Sequence, residues 1–332
     1  MTTLALLPDA STPLDHATAE QAFADMLDGK VPDEAVAVFL TTMAERDETS
    51  IEIAAAARVL RARMVPVAAP AGTIDVCGTG GDGSHSLNIS TAVAIVVAAC
   101  GVPVAKHGNR AASSKAGAAD TLEALGIDLA RASERAEESL AELGIAFLFA
   151  QTHHPALGRL AHVRRAIGRR TIFNLIGPIA NPARVTRQLI GVARPDYLGV
   201  YAEAITLLGI ESAMVVAGDE PLDELSIAGP STAIRIGGCG AGEARIVPED
   251  AGLPRHPLRA LRGGDAAYNA AALRALLQGE GGAYRDAVLL NAAAALIVAG
   301  HVADWQDGVE EAAEALDNGT ANALLDCWVR FR

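Results

Sequence analysis

The chain has 332 residues, 51% of them hydrophobic and only 4% aromatic, with a formal net charge of −13 at pH 7. That length accommodates two domains, or one large domain with a small one appended, around cores built from Ala, Val, Leu and Ile. The acidic balance excludes a general nucleic-acid or anionic-membrane surface, because phosphate contacts need dense Lys and Arg; any bound anion needs a local site.

The amino-terminal stretch lacks a basic start and a sustained apolar core and does not read as a secretory signal. The apolar runs 93–99 and 292–299 fall short of the roughly 20 residues that span a bilayer. A soluble, cytoplasmic protein is expected. Cys77, Cys100, Cys239 and Cys327 stand far apart without a C-x-x-C pair. They indicate neither a zinc site nor a disulfide framework, and buried reduced thiols are expected.

Residues 1–65 read as helical throughout. Thr18-x-x-Gln21 resembles a capping box, with Ala22, Met26 and Leu27 at helical spacing behind it. A second segment after Gly29 and Pro32 sets Val36, Phe39, Leu40 and Met43 on one face. Thr49-x-x-Glu52 predicts the cap of a third, carrying Ile53, Ala57, Leu60 and Met64. Pro66, Pro70 and Gly72 then interrupt the pattern and mark a boundary.

From Ile74 the rhythm changes. Short β-like runs are expected at 74–77, 102–105, 145–149, 189–193 and 213–217, with helices at 90–99, 118–125, 133–143, 155–167 and 196–208. Such alternation predicts a parallel or mixed sheet covered by helices. Residues 229–247 hold short β-like pieces whose arrangement the text does not reveal. Helix returns at 266–277 and 284–298, and a broken helical tail follows at 309–329.

Residues 75–110 read DVCGTGGDGSHSLNISTAVAIVVAACGVPVAKHGNR. After the first run, Gly78, Gly80, Gly81 and Gly83 free the backbone to take positive φ and turn amides toward a ligand. Ser90 and Thr91 would cap the next helix, whose first-turn N–H groups and dipole favour a phosphate. Lys106-His107-Gly108-Asn109-Arg110 follows the second run, with Lys106 a point charge for phosphate and Asn109 free to approach a ligand. Ser113, Ser114 and Gly117 add donors. Both stretches fall at the carboxyl ends of neighbouring strands, the usual ligand position in open α/β sheets. The spacing matches neither the Gly-Lys-Ser/Thr phosphate loop nor G-x-G-x-x-G with its later acidic partner, so mononucleotide and dinucleotide folds are unsupported.

Within GDEPLDELSIAG, the adjacent carboxylates of Asp223 and Glu224 suit Mg²⁺ bound directly or through water. Asp219 and Glu220 make the same case, and spacing does not choose between the pairs. Arg159, Arg164, Arg165, Arg169 and Arg170 form a basic stretch. Arg164 and Arg165 point about 100° apart on a helix, so one is available to hold a carboxylate while the other meets solvent. His153 and His154 lack a third ligand at a recognisable spacing and read as the opening of a helix. No nucleophile elbow or Cys–His context occurs, which points to direct transfer without a covalent intermediate.

CGTGGDG at 77–83, NIST at 88–91, KHGNR at 106–110, SS-x-x-G-x-A-D at 113–120, FNLIGPIANPA at 173–183, LDE at 222–224 and GGDAAYNA at 263–270 occur in that order. With them, the chain from about Leu14 onward resembles the anthranilate phosphoribosyltransferase family. The resemblance implies an α/β fold shared with pyrimidine nucleoside phosphorylases: a small all-helical domain, a large α/β domain with a mostly parallel or mixed sheet, and a cleft between them. It implies a small domain at 1–70, joined again by 167–183, and a large one at 71–332. It further implies a homodimer joined through the helical domains, two Mg²⁺ ions, and phosphoribosyl pyrophosphate and anthranilate as substrates in tryptophan biosynthesis. Carried over residue by residue, Gly78, Gly81, Asp82, Ser86, Asn88, Ile89, Ser90, Thr91, Lys106, Ser114 and Ala118 would meet the donor. Gly78, Asn109 and Arg164 would hold anthranilate. Ser90, Asp223 and Glu224 would serve the metal, with Lys106, Asp223 and Glu224 central to catalysis. Ala116 and Ala118 stand where family members often carry serine, leaving backbone amides for that part of the contact. A pyrimidine nucleoside phosphorylase of the same fold, and a non-catalytic nucleotide- or nucleic-acid-binding relative, are the rival readings; the charge of −13 and the LDE motif disfavour the second.

Overall fold

The computed structural model describes residues 5–111 and 115–331; Ser113 and Ser114 lie outside the described residues. Three helices come first: α1 (His16–Leu27), α2 (Asp33–Glu45) and α3 (Ser50–Arg61). Their apolar stripes, including Phe23, Met26, Phe39, Leu40, Met43, Ile53 and Leu60, meet in one cluster. Each such fully buried side chain contributes roughly 1.5–3 kcal/mol relative to exposure. Thr49 caps α3 as expected, accepting from the Glu52 N–H while the Glu52 carboxylate accepts from the Thr49 N–H at 2.9 Å. The cap of α1 is not Thr18. Asp15 accepts the Thr18 N–H at 2.9 Å, and the helix begins at His16, because aspartate three residues earlier caps at least as well as threonine and starts the helix sooner.

Seven strands follow: β1 (Ile74–Gly78), β2 (Val104–Gly108), β3 (Ile145–Phe149), β4 (Arg187–Gly191), β5 (Ser212–Gly218), β6 (Ser231–Gly237) and β7 (Gly242–Ile246). They form one sheet in the order β3-β2-β1-β4-β5-β6-β7. β1 to β5 run parallel, and β6 and β7 add an antiparallel ribbon, which resolves residues 229–247. β2 starts two residues later than expected. Pro103 has no N–H to give the ladder, whereas polar Lys106 and His107 sit in it with their side chains partnered. The expected 155–167 helix is broken at Leu160 into Pro155–Arg159 and Ala161–Ile167, and the 133–143 helix is divided at Arg135.

On one face of the sheet Val76, Val104, Leu189 and Met214 pack under α4 (Ile89–Ala99) and the helix Ala283–Ala299. On the other, Ile190, Val192 and Val215 pack on the helix Leu198–Leu207 and on the α1–α3 cluster, which also takes in Leu160, Val163, Ile172 and Phe173. The first helices and the 160–180 segment therefore share a core against the sheet. The carboxyl ends of β1, β2 and β4 open beside them. Among the described residues no helix is long and apolar enough to cross a membrane. The four cysteines are free, but only Cys77 is buried; Cys327 is exposed on the outer side of the amphipathic helix Thr320–Arg330, whose inner side is Leu325 and Trp328.

Candidate active site

The glycine loop starts where β1 stops. Gly80, Gly81 and Gly83 take φ of +67°, +73° and +79°, a region other residues enter at a cost. The Gly80 N–H donates to Asp223 Oδ2 at 2.6 Å, and the Asp223 N–H donates to Asp82 Oδ2 at 3.2 Å. Two further glycines serve by lacking a side chain. A Cβ on Gly78 would fall on the Asp223 carboxylate, and one on Gly191 would fall on the Asp223 carbonyl. The 222–224 loop therefore rests directly on the ends of β1 and β4. Gly78→Ala has room in its φ but not in space. It is expected to push Asp223 aside and lower turnover about 100-fold, the scale of a 1 Å misplacement, with little change in the circular dichroism spectrum; turnover within threefold of wild type would show that Asp223 need not stand there.

Glu224 is buried and Asp223 half-buried. Burial pushes both carboxyls well above the usual range. The Asp82 carboxylate adds to the effect on Asp223, and the Asp223 carboxylate on Glu224, while Lys106 opposes it at Glu224. The other acidic pair is already engaged: Asp219 pairs with Arg245, and Glu220 accepts from Ser226 Oγ at 2.9 Å. Among the described residues no group of three or more His, Cys, Asp or Glu forms a metal cage. Two or three carboxylates with unmet charge instead fit a magnesium ion that takes its remaining ligands from substrate phosphates and water.

Lys106 is buried and donates to the Val76 carbonyl at 2.7 Å and to Ser90 Oγ at 3.2 Å. An ammonium has three N–H groups, so one remains. Ser90 and Thr91 do not precede α4 but lie in its first turn. Asn88 is the N-cap and makes no side-chain cap bond, since its Oδ1 accepts from Thr121 Oγ1 at 2.6 Å and Asn269 Nδ2 at 2.9 Å. Ser90 thus faces Lys106, while the Thr91 hydroxyl is buried with no partner among the described residues. Ile89 is buried and offers only backbone. Ser86 bridges to Arg262 beside the glycine loop, and Ala118 begins the helix Ala118–Ala124.

On the far side, Asn109 is exposed and its Oδ1 accepts from the Arg110 N–H at 2.8 Å. Arg110 is occupied by Asp120 and Glu123, so it braces the turn. Arg164 is half-buried with its guanidinium 5.8 Å from the Phe173 ring centre, and no carboxylate among the described residues pairs with it; burial lowers its pKa. Arg165 is exposed. The two arginines do face apart, and Arg164 is the inward one.

His107 and His154 are buried with ring centres 5.0 Å apart, and His107 Nδ1 donates to the Gly177 carbonyl at 2.9 Å. Burial, then the His154 ring, lowers His107 to about 3, and burial, then the adjacent His153, lowers His154 to about 4. The unfolded chain takes these protons near pH 6.5 and the folded chain resists them. Their stabilisation is therefore complete above pH 6.5 and is lost as pH falls toward 3, by up to about 1.4 kcal/mol per pH unit per group. Between pH 6.5 and 5 the unfolding free energy should fall more steeply for wild type than for His154→Leu in urea titrations; equal slopes would contradict this.

Several residues that brace the site have no role assigned from the sequence. Asp75, wholly buried, accepts from the His107 N–H at 3.1 Å and from Asn181 Nδ2 at 2.8 Å; Asn181 Nδ2 also reaches the Ala105 carbonyl, and Gln188 Nε2 the Pro178 carbonyl, each at 2.8 Å. These bonds pin residues 177–181 to the sheet. A lone Asp within an apolar strand was the available signal.

A glycine loop, a buried lysine and a carboxylate pair at the carboxyl ends of the central strands, walled by a helical bundle, fit a glycosyl transferase of two-part construction. Residues 9–64 match the glycosyl transferase family helical bundle domain, and residues 71–322 match the glycosyl transferase family a/b domain. The chain is 64% identical over 326 residues to an anthranilate phosphoribosyltransferase of Novosphingobium aromaticivorans, covering 98% of this chain and 99% of that one. The crystal structure of the Thermus thermophilus anthranilate phosphoribosyltransferase superposes with a TM-score of 0.92 at 42% identity, covering 97% of this chain and 96% of that one. The chain belongs to the anthranilate phosphoribosyltransferase family. A Saccharomyces cerevisiae member, 27% identical with a TM-score of 0.87 over 96% of this chain and 93% of that one, was solved in complex with PRPP and Mg. Another structure of the yeast enzyme, 25% identical with a TM-score of 0.84 over 96% of this chain and 93% of that one, holds 4-fluoroanthranilate.

Proposed function

We propose that this chain transfers the phosphoribosyl group of phosphoribosyl pyrophosphate to the amine of anthranilate, giving N-(5-phosphoribosyl)anthranilate and pyrophosphate in tryptophan biosynthesis. The observation that carries the reading is the convergence of the glycine loop, Lys106 and Asp223 at the ends of β1 and β2, with Asp223 bonded to the loop itself.

The amine attacks the anomeric carbon as the bond to pyrophosphate breaks, with inversion, and the surplus proton on nitrogen passes to pyrophosphate or solvent. The aromatic amine is already neutral at pH 7, so no strong base is required. Gly78, Gly81, Asp82, Ser86, Asn88, Ile89, Ser90, Thr91 and Ala118 line the donor's side, with backbone N–H groups turned to phosphate. Lys106 places its remaining N–H on the charge that develops there. Ser114 is assigned to the donor by family resemblance alone. Asp223 and Glu224, with the Ser90 hydroxyl, would hold magnesium, two ions by family analogy, which when bound neutralises charge on the leaving pyrophosphate. Arg164 orients anthranilate through its carboxylate, with Asn109 and Gly78 beside it.

We divide the chain for this purpose into a helical domain, residues 1–70 with 167–183, and a large domain, residues 71–332. We place the protein in the cytoplasm as a homodimer joined through the helical domains. Of the six large apolar residues left exposed among the described residues, Val38 and Ile51 lie on α2 and α3, and Leu207 ends the helix packed on α3, which supports that face as the interface.

Release of one pyrophosphate per anthranilate consumed, dependent on magnesium, tests the reading. Phosphorolysis of a pyrimidine nucleoside in its place would overturn it in favour of a phosphorylase; the uncompensated Arg164 favours a carboxylate-bearing acceptor.

A further inference from the structure

Arg170 stands in the turn between the helix Ala161–Ile167 and the short helix Ile172–Leu175, which is anchored in the helical-bundle cluster through Ile172 and Phe173. Its side chain leaves that side of the cleft. Nη1 donates to the Gly80 carbonyl at 2.5 Å, and it occupies the space where a Cβ on Gly81 would lie. Gly80 is thereby gripped at both ends of its backbone: its carbonyl by Arg170 and its N–H by Asp223 Oδ2. The guanidinium is half-buried, and among the described residues no carboxylate pairs with it; Nη2 is buried with no partner. Its neighbours differ: Arg169 pairs with Glu45, and Arg194 with Asp47 and Asp196. Taking a cation out of water with no carboxylate in direct contact costs stability, and Asp223, Asp82 and Glu48 act on Arg170 only through space. Its placement is explained by what it holds.

We infer that Arg170 is a positioning residue that fixes the pyrophosphate-gripping loop from the opposite side of the cleft. The inference rests on the reading of the site as a phosphoribosyl-pyrophosphate site. Arg170 sets the Gly80–Gly81 peptide so that the Gly80 N–H holds the Asp223 carboxylate in one orientation, and it lays a positive charge along the loop that receives the leaving group. It couples the position of the helical side to the order of the loop: when that side moves away, the loop loses its outer support. The side chain acts through Gly80 and Asp223 and touches no reacting atom. Hydrogen bonds made by a charged donor are worth about 1.5–3 kcal/mol, which is roughly 10- to 100-fold in an equilibrium.

The test compares Arg170→Ala and Arg170→Lys with wild type in two measurements: calorimetric binding of magnesium pyrophosphate, and steady-state kinetics with donor and acceptor varied separately. Arg170→Ala should weaken magnesium pyrophosphate and raise the donor KM by at least about tenfold, leave the anthranilate KM within about twofold, and leave the thermal midpoint in place. Arg170→Lys should recover part of the loss, because it keeps the charge and one donor but not the planar fork. Donor KM and pyrophosphate affinity within twofold of wild type in Arg170→Ala would overturn the inference. So would a lowered thermal midpoint with donor and acceptor KM raised alike, which marks a structural strut. If wild type itself neither binds pyrophosphate nor turns over, the reading of the site has failed, a result distinct from any difference between variant and wild type.

Discussion

Asp223→Asn combined with Glu224→Gln is expected to abolish nearly all turnover, by about a thousandfold or more, while leaving the unfolding midpoint of the metal-free protein unchanged or raised. Both carboxyls stand above their ordinary range, because burial and neighbouring carboxylates disfavour their charge. In the free protein they repel, and neutral amides of the same shape relieve that repulsion. In the proposed reaction they would supply the negative charge that holds a cation on pyrophosphate, and losing several kcal/mol of such stabilisation gives a rate effect of this size. The Gly80 N–H has an acceptor in either case, since the Asn side chain keeps one carbonyl oxygen. Magnesium-dependent turnover near the wild-type rate would contradict the assignment of the pair. A collapsed midpoint would show instead that the carboxylates hold the fold.

Lys106→Met is expected to reduce turnover by roughly 100- to 1000-fold, the scale of losing one preorganised donor at a developing charge. The slot is narrow: Nζ already spends two N–H groups on Val76 and Ser90. Arginine presents a wider planar fork and cannot reproduce a point charge there, so Lys106→Arg should remain at least tenfold below wild type. Removing the ammonium also takes away a cation that opposes the upward shift at Glu224, so magnesium binding should require higher pH in the Met variant. Stopped-flow or steady-state rates with saturating donor distinguish the two variants; wild-type kcat in Lys106→Met would remove the lysine from the account.

Much of the fold could be read directly, because apolar runs such as Ile145–Phe149 and Ser212–Gly218 are buried on both faces and bounded by glycine or polar turns. The polar end of β2 could not. Lys106 and His107 look like turn residues until their partners, Val76, Ser90 and Gly177, are known. The site divides similarly. Gly80, Gly81 and Gly83 declared their backbone freedom, and Asp223 with Glu224 declared a carboxylate pair. What chose that pair over Asp219 and Glu220 was Arg245, which is 26 residues from Asp219 and neutralises it. The contact of Asp223 with Gly80 spans 143 residues and that of Arg170 with Gly80 spans 90. No local pattern encodes such pairings. The Ser90–Thr91 cap failed because Asn88, already held by Thr121 and Asn269, stands at the helix boundary. Arg164 was separated from Arg165 in the sequence only by family resemblance, and the structure adds that one is half-buried on Phe173 and the other exposed.

The most direct measurement follows anthranilate fluorescence after mixing the purified chain with phosphoribosyl pyrophosphate, anthranilate and magnesium. The expected result is a loss of signal that needs all three, stops on chelation of the metal, and is absent in the Asp223→Asn, Glu224→Gln variant. A stable signal with wild-type protein that is folded and binds the donor, or an equal loss in the double variant, would contradict it.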